Sequence, residues 1–362
     1  MHPATDYLYV LHNQEHLQQI RAIIIYVQSG LQQTTKGVYM KGWLIVNRFL
    51  NNGKFSELYD WLIKAAKKAG SELVFMTNAD IIVRADTREV VYPGLKNDRP
   101  DYVIFWDKDI RLARALEAAG LKLYNCADAI EACDDKSLTC SRLAGTVRMP
   151  ATFNVPFTYE GPGYCDTGFL KQIESQTGYP FVLKECFGSF GEQVHLIQTR
   201  EQCEEILKSI NGHPCIIQEY ISPGDDIRAG INNVSEEEPV STNLNTRIVN
   251  NTQFSGRDIR IIVVGGRCIA AMVRYNDNDF RANIALGGHA HSYTPTEAEQ
   301  AMAIKVCNTL KLDYAGVDIL TGSDDKPLLC EVNSNAHFKG IFECTGINAA
   351  DAIIEHILSL NK

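Results

Sequence analysis

The 362-residue chain has no surplus of positive charge: 35 Lys and Arg stand against 44 Asp and Glu, a net charge of −9. That balance lacks the basic stripe that drives binding to nucleic acid or to an acidic membrane surface, so neither is expected as a partner. Long apolar runs are also missing. Ile20–Val27 is interrupted by Arg21 and falls far short of the roughly 20 residues of a membrane span. The start, Met1–Asp6, has neither the basic nor the apolar portion of a signal peptide, so none is expected. No C-x-x-C pair occurs among the eleven cysteines, and the usual zinc-ligand spacing is absent. Several of them, such as Cys215 and Cys330, lie inside apolar runs. They read as reduced, mostly buried thiols of a cytoplasmic protein. There is no GK[ST] phosphate loop and no internal repeat.

What is present is ordinary globular material, 45% hydrophobic and 22% charged. The length exceeds one domain of about 150 residues, which implies two or three packed units. Residues 1–39 read as an N-terminal extension in which Leu17–Val27 has the pattern of a short helix. From Met40 a basic residue leads into an apolar strand, Gly42–Val46, and strand and helix then alternate to residue 130. Expected are a helix over Ser56–Ala69, strands at Glu72–Met76, Tyr102–Phe105 and Leu121–Tyr124, and helices over Ile110–Ala119 and Ala127–Cys133. This alternation predicts a parallel sheet covered on both faces, with ligands at the carboxyl ends of its strands. Asn47-Arg48, Asn78-Ala79-Asp80 and Asn125 stand at those ends, where each also suits a plain turn. A second unit is expected over 131–221 and a third over 257–362. Between them 222–256 reads as a polar insertion, rich in Ser, Asn, Thr, Glu and Gly.

Four segments carry chemistry. Phe181–Lys184 is an apolar strand that presents a lysine and runs into Gly188-Ser189-Phe190-Gly191. A fixed ammonium beside a glycine turn suits phosphate oxygens, which backbone N–H groups can then approach closely. Cys215–Ile221 is a buried strand ending in Glu219, Tyr220 and Ile221, a wall and edge suited to an adenine. Tyr314–Leu320 carries Asp318 in its apolar middle, and the return strand Leu328–Asn333 places Glu331 and Asn333 on one face. Two carboxylates and an amide oxygen form a hard donor set for Mg²⁺; cross-strand pairing with Lys or Arg is the other use of such acids. Finally, Asp258 and Arg260 share a strand face, as do Arg281 and Asn283 further on. Arginine suits phosphoryl oxygens because its fork is planar and always charged.

In this order, Asp135-Lys136, Leu183-Lys184 with Gly188–Gly191, Gln218–Ile221, Asp258-Ile259-Arg260, Phe280–Asn283, Ala315–Asp318 and Glu331–Ser334 resemble the ATP-grasp superfamily, and most closely its RimK-type carboxylate–amine ligases. The resemblance covers about residues 41–362. It implies an α/β and α+β chain: an ATP-grasp fold behind a Rossmann-like parallel-sheet domain. It implies ATP, with Mg²⁺ (two ions, or Mn²⁺ in its place), and an acyl phosphate that a small amine converts to an amide. Lys136 and Lys184 would hold phosphates under the closing loop Gly188, Ser189, Phe190 and Gly191. Glu219, Tyr220 and Ile221 would line the adenine pocket, and Asp258 would lie near the ribose. Arg281 and Asn283 would contact phosphates, with Arg260 and Arg281 stabilising the intermediate. Asp318, Glu331 and Asn333 would bind metal. Homo-oligomers are common among such relatives.

The sequence departs from the family pattern in three places. Thirty-nine positions separate Glu219 from Asp258, and Asp225–Arg228 imitates the later Asp-Ile-Arg. Ala285-Leu286 stands where RimK proper has a His-Arg pair, and Asn335-Ala336-His337 replaces the usual Ser-Pro-Gly. The last two lie where the resemblance places the acceptor or the acyl phosphate. An ATP-binding regulatory protein and a small-molecule kinase on the same fold remain open as alternatives.

Overall fold

A computed structural model describes residues 39–50, 53, 55–93, 99–210, 212–222 and 255–361. The helix expected at Leu17–Val27, nearly all of the extension before Met40, and most of the 222–256 insertion lie outside the described residues. The chain divides between Tyr39 and Met40, and Met40–Lys362 is a single compact unit built on three principal sheets.

The first sheet is parallel. Strand β1 (Lys41–Val46) is buried almost throughout, as a strand covered on both faces must be. Helix α1 (Ser56–Lys68) follows it and leads to β2 (Glu72–Thr77), which lies on one side of β1. A short hairpin, β3 (Ile82–Arg84) and β4 (Glu89–Val91), precedes β5 (Tyr102–Trp106), which lies on the other side. Gly42 allows β1 and β5 to approach, since a Cβ there would stand 2.3 Å from the Tyr102 ring. Alternate residues of the sheet serve opposite cores. Leu44, Val46, Ile104 and Trp106 pack with α1, whereas Trp43, Ile45, Val103 and Phe105 pack with helix α2 (Ile110–Ala118). Two-residue β6 (Leu123–Tyr124), shorter than expected, completes the edge. Asn125, at its carboxyl end, is no ligand. It is fully buried, donates to the carbonyls of Tyr314 and Ser334, and accepts from the N–H groups of Asp313 and Tyr314. Asp80 is a turn residue whose carboxylate caps Thr77.

Helices α3 (Ala127–Asp134) and α4 (Lys136–Leu143) lead to the second sheet, which is antiparallel. Its strands are β7 (Thr152–Asn154), β8 (Phe181–Glu185), β9 (Val194–Ile197) and β10 (Cys215–Glu219), in the order β7-β10-β8-β9. Helices α5 (Leu170–Thr177) and α6 (Arg200–Ser209) cover it through Leu170, Ile173, Cys203 and Leu207. The third sheet has β11 (Gly256–Val264) at its centre, flanked by β12 (Arg267–Asn276) and β14 (Tyr314–Thr321), with β13 (His289–Ser292) and β15 (Pro327–Asn333) at the edges. Helix α7 (Glu297–Leu310) begins in a Thr296/Glu299 capping box and packs on it. The chain ends in α8 (Lys339–Thr345) and α9 (Ala349–Ser359). Ile353, Ile354 and Ile357 of α9 share a core with Leu58 and Leu62 of α1, so the C-terminus closes onto the first sheet.

All eleven cysteines are free thiols. Five are buried, five are half-buried and Cys165 is exposed, so full burial is less general than expected. Among the described residues no helix is long and apolar enough to cross a membrane.

Candidate active site

The second and third sheets face each other across a cleft. Of the residues expected from the sequence to act, all but Phe190, Arg260 and Asn333 line it.

Lys184 projects from β8 with little solvent contact, and its Nζ donates to Gln218 Oε1 at 2.6 Å. Gln218 Nε2 in turn donates to Thr152 Oγ1 at 2.9 Å, so the amide is held at both ends. Lys136 is the first residue of α4, and its Nζ donates to the Cys186 carbonyl at 3.4 Å. Burial lowers its pKa, Lys108 and Lys184 add to that effect, and Glu331 opposes it. These lysines therefore form a positive group beside one acid.

The glycine loop has the backbone its sequence anticipates. Gly188, Phe190 and Gly191 have φ of 139°, 61° and 79°. For Phe190 this left-handed conformation is uncommon in a residue with a Cβ. Three anchors hold the loop. Lys108 Nζ donates to Ser189 Oγ at 3.2 Å, Arg281 Nη1 donates to the Gly191 carbonyl at 2.7 Å, and the Phe190 ring lies 6.3 Å from that of Phe55. Arg281 is fixed by Asp279, with Nε on Oδ1 and Nη2 on Oδ2. Arg281 and Asn283 do share a side, since both would touch a Cβ placed on Gly191.

On the wall formed by Val182, Ile221, Phe280 and Leu320 the cleft is apolar, as a heterocycle requires. Glu219 is exposed at its edge, with Oε2 accepting from the Ala151 N–H.

The floor is a four-charge network on three adjacent strands. Asp258 is opposite Arg274 and Arg260 is opposite Asp318. Arg274 donates to Asp258 through Nε and Nη2, both at 2.6 Å, and its Nη2 also lies 2.9 Å from Asp318 Oδ2. Two carboxylates and two guanidinium groups thus neutralise each other in the interior. Burial pushes the Asp258 carboxyl up. At Asp318 burial acts in the same direction, but Arg260 and Arg274 overcome it and hold the acid below its usual range. Arg260, expected to stabilise the intermediate, lies on the same strand face as Asp258, and its fork is engaged by Asp318 directly opposite.

Asp318 also faces Glu331 across β14 and β15. Glu331 makes no hydrogen bond or ion pair among the described residues, and Asn333 Nδ2 is buried without a partner. This set fits a hard cation. Asp318 accepts three guanidinium contacts, which leaves one of its roughly four lone-pair positions free.

Sequence reasoning missed Arg274, Gln218 and Lys108. A lone arginine in the apolar run Ala270–Tyr275 and a glutamine in the strand interior before Glu219 were the available signals. Lys108 carried none, because its contact depends on the distant Ser189.

A lysine-lined cleft between an antiparallel two-layer unit and a carboxylate-bearing sheet defines the class of ATP-grasping ligases. The model of the RimK-like ATP-grasp domain matches residues 165–247 and 237–357, and the chain belongs to that family. It is similar to an uncharacterised protein of Mycoplasma genitalium, at 28% identity over 279 residues, 76% of this chain and 84% of that one. It is 30% identical over 258 residues to beta-citrylglutamate synthase B of Danio rerio, covering 70% of this chain and 55% of the relative. The D-alanine–D-alanine ligase of Bacillus anthracis solved with ATP has the same fold, with a TM-score of 0.61, 15% identity, and coverage of 89% of this chain and 97% of that one. The protein is an ATP-dependent carboxylate–amine ligase.

Proposed function

We propose that the chain activates a small carboxylate as an acyl phosphate, transfers it to an amine, and releases ADP and phosphate. Lys136 and Lys184 hold the phosphates, with Gln218 aiming Lys184. The Gly188–Gly191 loop excludes water from the acyl phosphate once Phe190 and Ser189 close on their anchors. Glu219, Tyr220 and Ile221 border the adenine, with Asp258 on the ribose side. Arg281 and Asn283 fix the loop and meet phosphoryl oxygens, while Arg260 positions Asp318.

Asp318, Glu331 and Asn333 would hold Mg²⁺, as one or two ions, or Mn²⁺. The metal supplies charge neutralisation for phosphoryl oxygens. The name of the Danio rerio relative contains glutamate, which suggests an amino acid as the amine. Eleven free thiols suit a reducing, cytoplasmic location.

The observation that carries this reading is the convergence of two lysines, the glycine loop and Glu331 on one cleft. Its test is ADP release from MgATP with pooled acids, with and without pooled amines, and products read by mass spectrometry. A product mass of acid plus amine minus water supports it, and Glu331→Ala should abolish that product. A phosphorylated acid that accumulates as the stable end product, with amines making no difference, would identify a kinase instead.

A further inference from the structure

We infer that the acceptor amine docks as an ammonium against Asp107 and the amide oxygen of Asn335, at the carboxyl end of the first sheet; the inference rests on the ligase reading above. Asp107 directly follows β5. Its carboxylate accepts from Asn47 Nδ2 at 3.2 and 3.1 Å and from the Lys108 N–H at 2.7 Å. It is half-buried, yet it has no ion-pair partner among the described residues. The adjacent ammonium of Lys108 is engaged elsewhere, 2.5 Å from Asp134 and in contact with Ser189. A half-buried carboxylate without a cation is a costly arrangement, and a bound cation relieves it.

Asn335 supplies the second observation. Its Nδ2 donates to the Asp107 carbonyl at 3.0 Å, while its Oδ1 is buried and has no donor. An unsatisfied buried acceptor costs about 1–3 kcal/mol. A carboxylate and an orphaned amide oxygen on two touching residues require a ligand that only donates and is positive. A primary ammonium, with three N–H donors, meets both requirements.

The location suits the chemistry. Asn335 lies two residues beyond Asn333 of the metal set, and Lys108 links Asp107 to the phosphate loop. Exposed Arg48, next to Asn47, offers a cation for the carboxylate of an amino acid.

The test is calorimetric titration of the protein, saturated with Mg²⁺ and AMP-PNP, with each of the twenty L-amino acids and their N-acetyl forms. The expected result is that at least one free amino acid binds, that its N-acetyl form does not, and that Asp107→Asn weakens binding at least tenfold. Asn335→Asp, which keeps acceptors at that position, should retain binding. If AMP-PNP binds but no amino acid does, or if Asp107→Asn or N-acetylation changes nothing, the ammonium site is wrong and the ligase reading stands. If AMP-PNP itself does not bind, the ligase reading fails and this inference fails with it.

Discussion

Arg260 and Asp318 sit directly opposite each other on antiparallel strands and are joined by two parallel hydrogen bonds, Nε to Oδ1 at 2.7 Å and Nη2 to Oδ2 at 2.6 Å. Such a bidentate pair fixes the carboxylate plane as well as its position. Asp318 is therefore oriented before any ligand arrives, and Arg274 adds a further contact to its Oδ2.

Arg274 is the member whose loss should be felt most. Its removal leaves Asp258 buried with no direct partner, because Arg260 serves Asp318. Breaking a buried pair in this way costs roughly 3–5 kcal/mol. Arg274→Ala should lower the urea midpoint accordingly, and Arg274→Lys should recover only part, since an ammonium cannot reproduce the fork. A variant as stable as the parent would show that the network is dispensable to the fold.

Gln218 should act on nucleotide affinity. The Lys184 ammonium is aimed by a single amide oxygen at 2.6 Å. Gln218→Leu keeps the side chain's bulk but removes both of its hydrogen bonds. The KM for ATP should rise roughly tenfold, equivalent to about 1.4 kcal/mol, while kcat changes less. An equal loss in kcat would move Gln218 from nucleotide positioning to the chemical step.

Much of this site was legible because its pieces are local. Lys184 with its glycine turn, and Glu331 two residues before Asn333, are short strings whose period-two alternation fixes their faces. Partnerships across strands were not legible. Nothing near Asp258 in sequence names Arg274, sixteen positions away on another strand. Arg260 looked free for the same reason, as did Asn125, whose partners lie near residues 313 and 334. The first sheet was readable from its apolar runs, but the docking of α9 onto α1 depends on contacts between the two ends of the described chain.

Two half-buried histidines give a pH dependence. Burial lowers the imidazole pKa of His195, with Arg281 adding to the effect and Glu185 opposing it. Burial also lowers that of His291, with His289 adding to the effect. The unfolded chain then binds more protons than the folded one between the ordinary value of 6.5 and the lowered folded values. Stability is retained above that window and falls as pH drops through it. Denaturant midpoints measured from pH 7.5 to 5 should decline, and His195→Gln with His291→Gln should flatten the decline. An unchanged slope in the double variant would assign it to carboxylates.

Gly191 allows backbone strain and crowding of the site to be separated. Its φ is +79°, and a Cβ would stand 3.0 Å from Asn283 Oδ1, 3.3 Å from Leu286 and 3.4 Å from Arg281. Gly70, just after α1, has nearly the same φ, +77°, with nothing within 4 Å of its Cβ position. Alanine at either place incurs a similar backbone cost of about 1 kcal/mol. Only at Gly191 does it also displace the residues that anchor the loop. Both variants should lose a few degrees of thermal midpoint, but Gly191→Ala alone should raise the KM for ATP severalfold. Equal KM values in the two variants would mean that the loop closes without needing Arg281 and Asn283 in place, which would remove them from the phosphate-binding role.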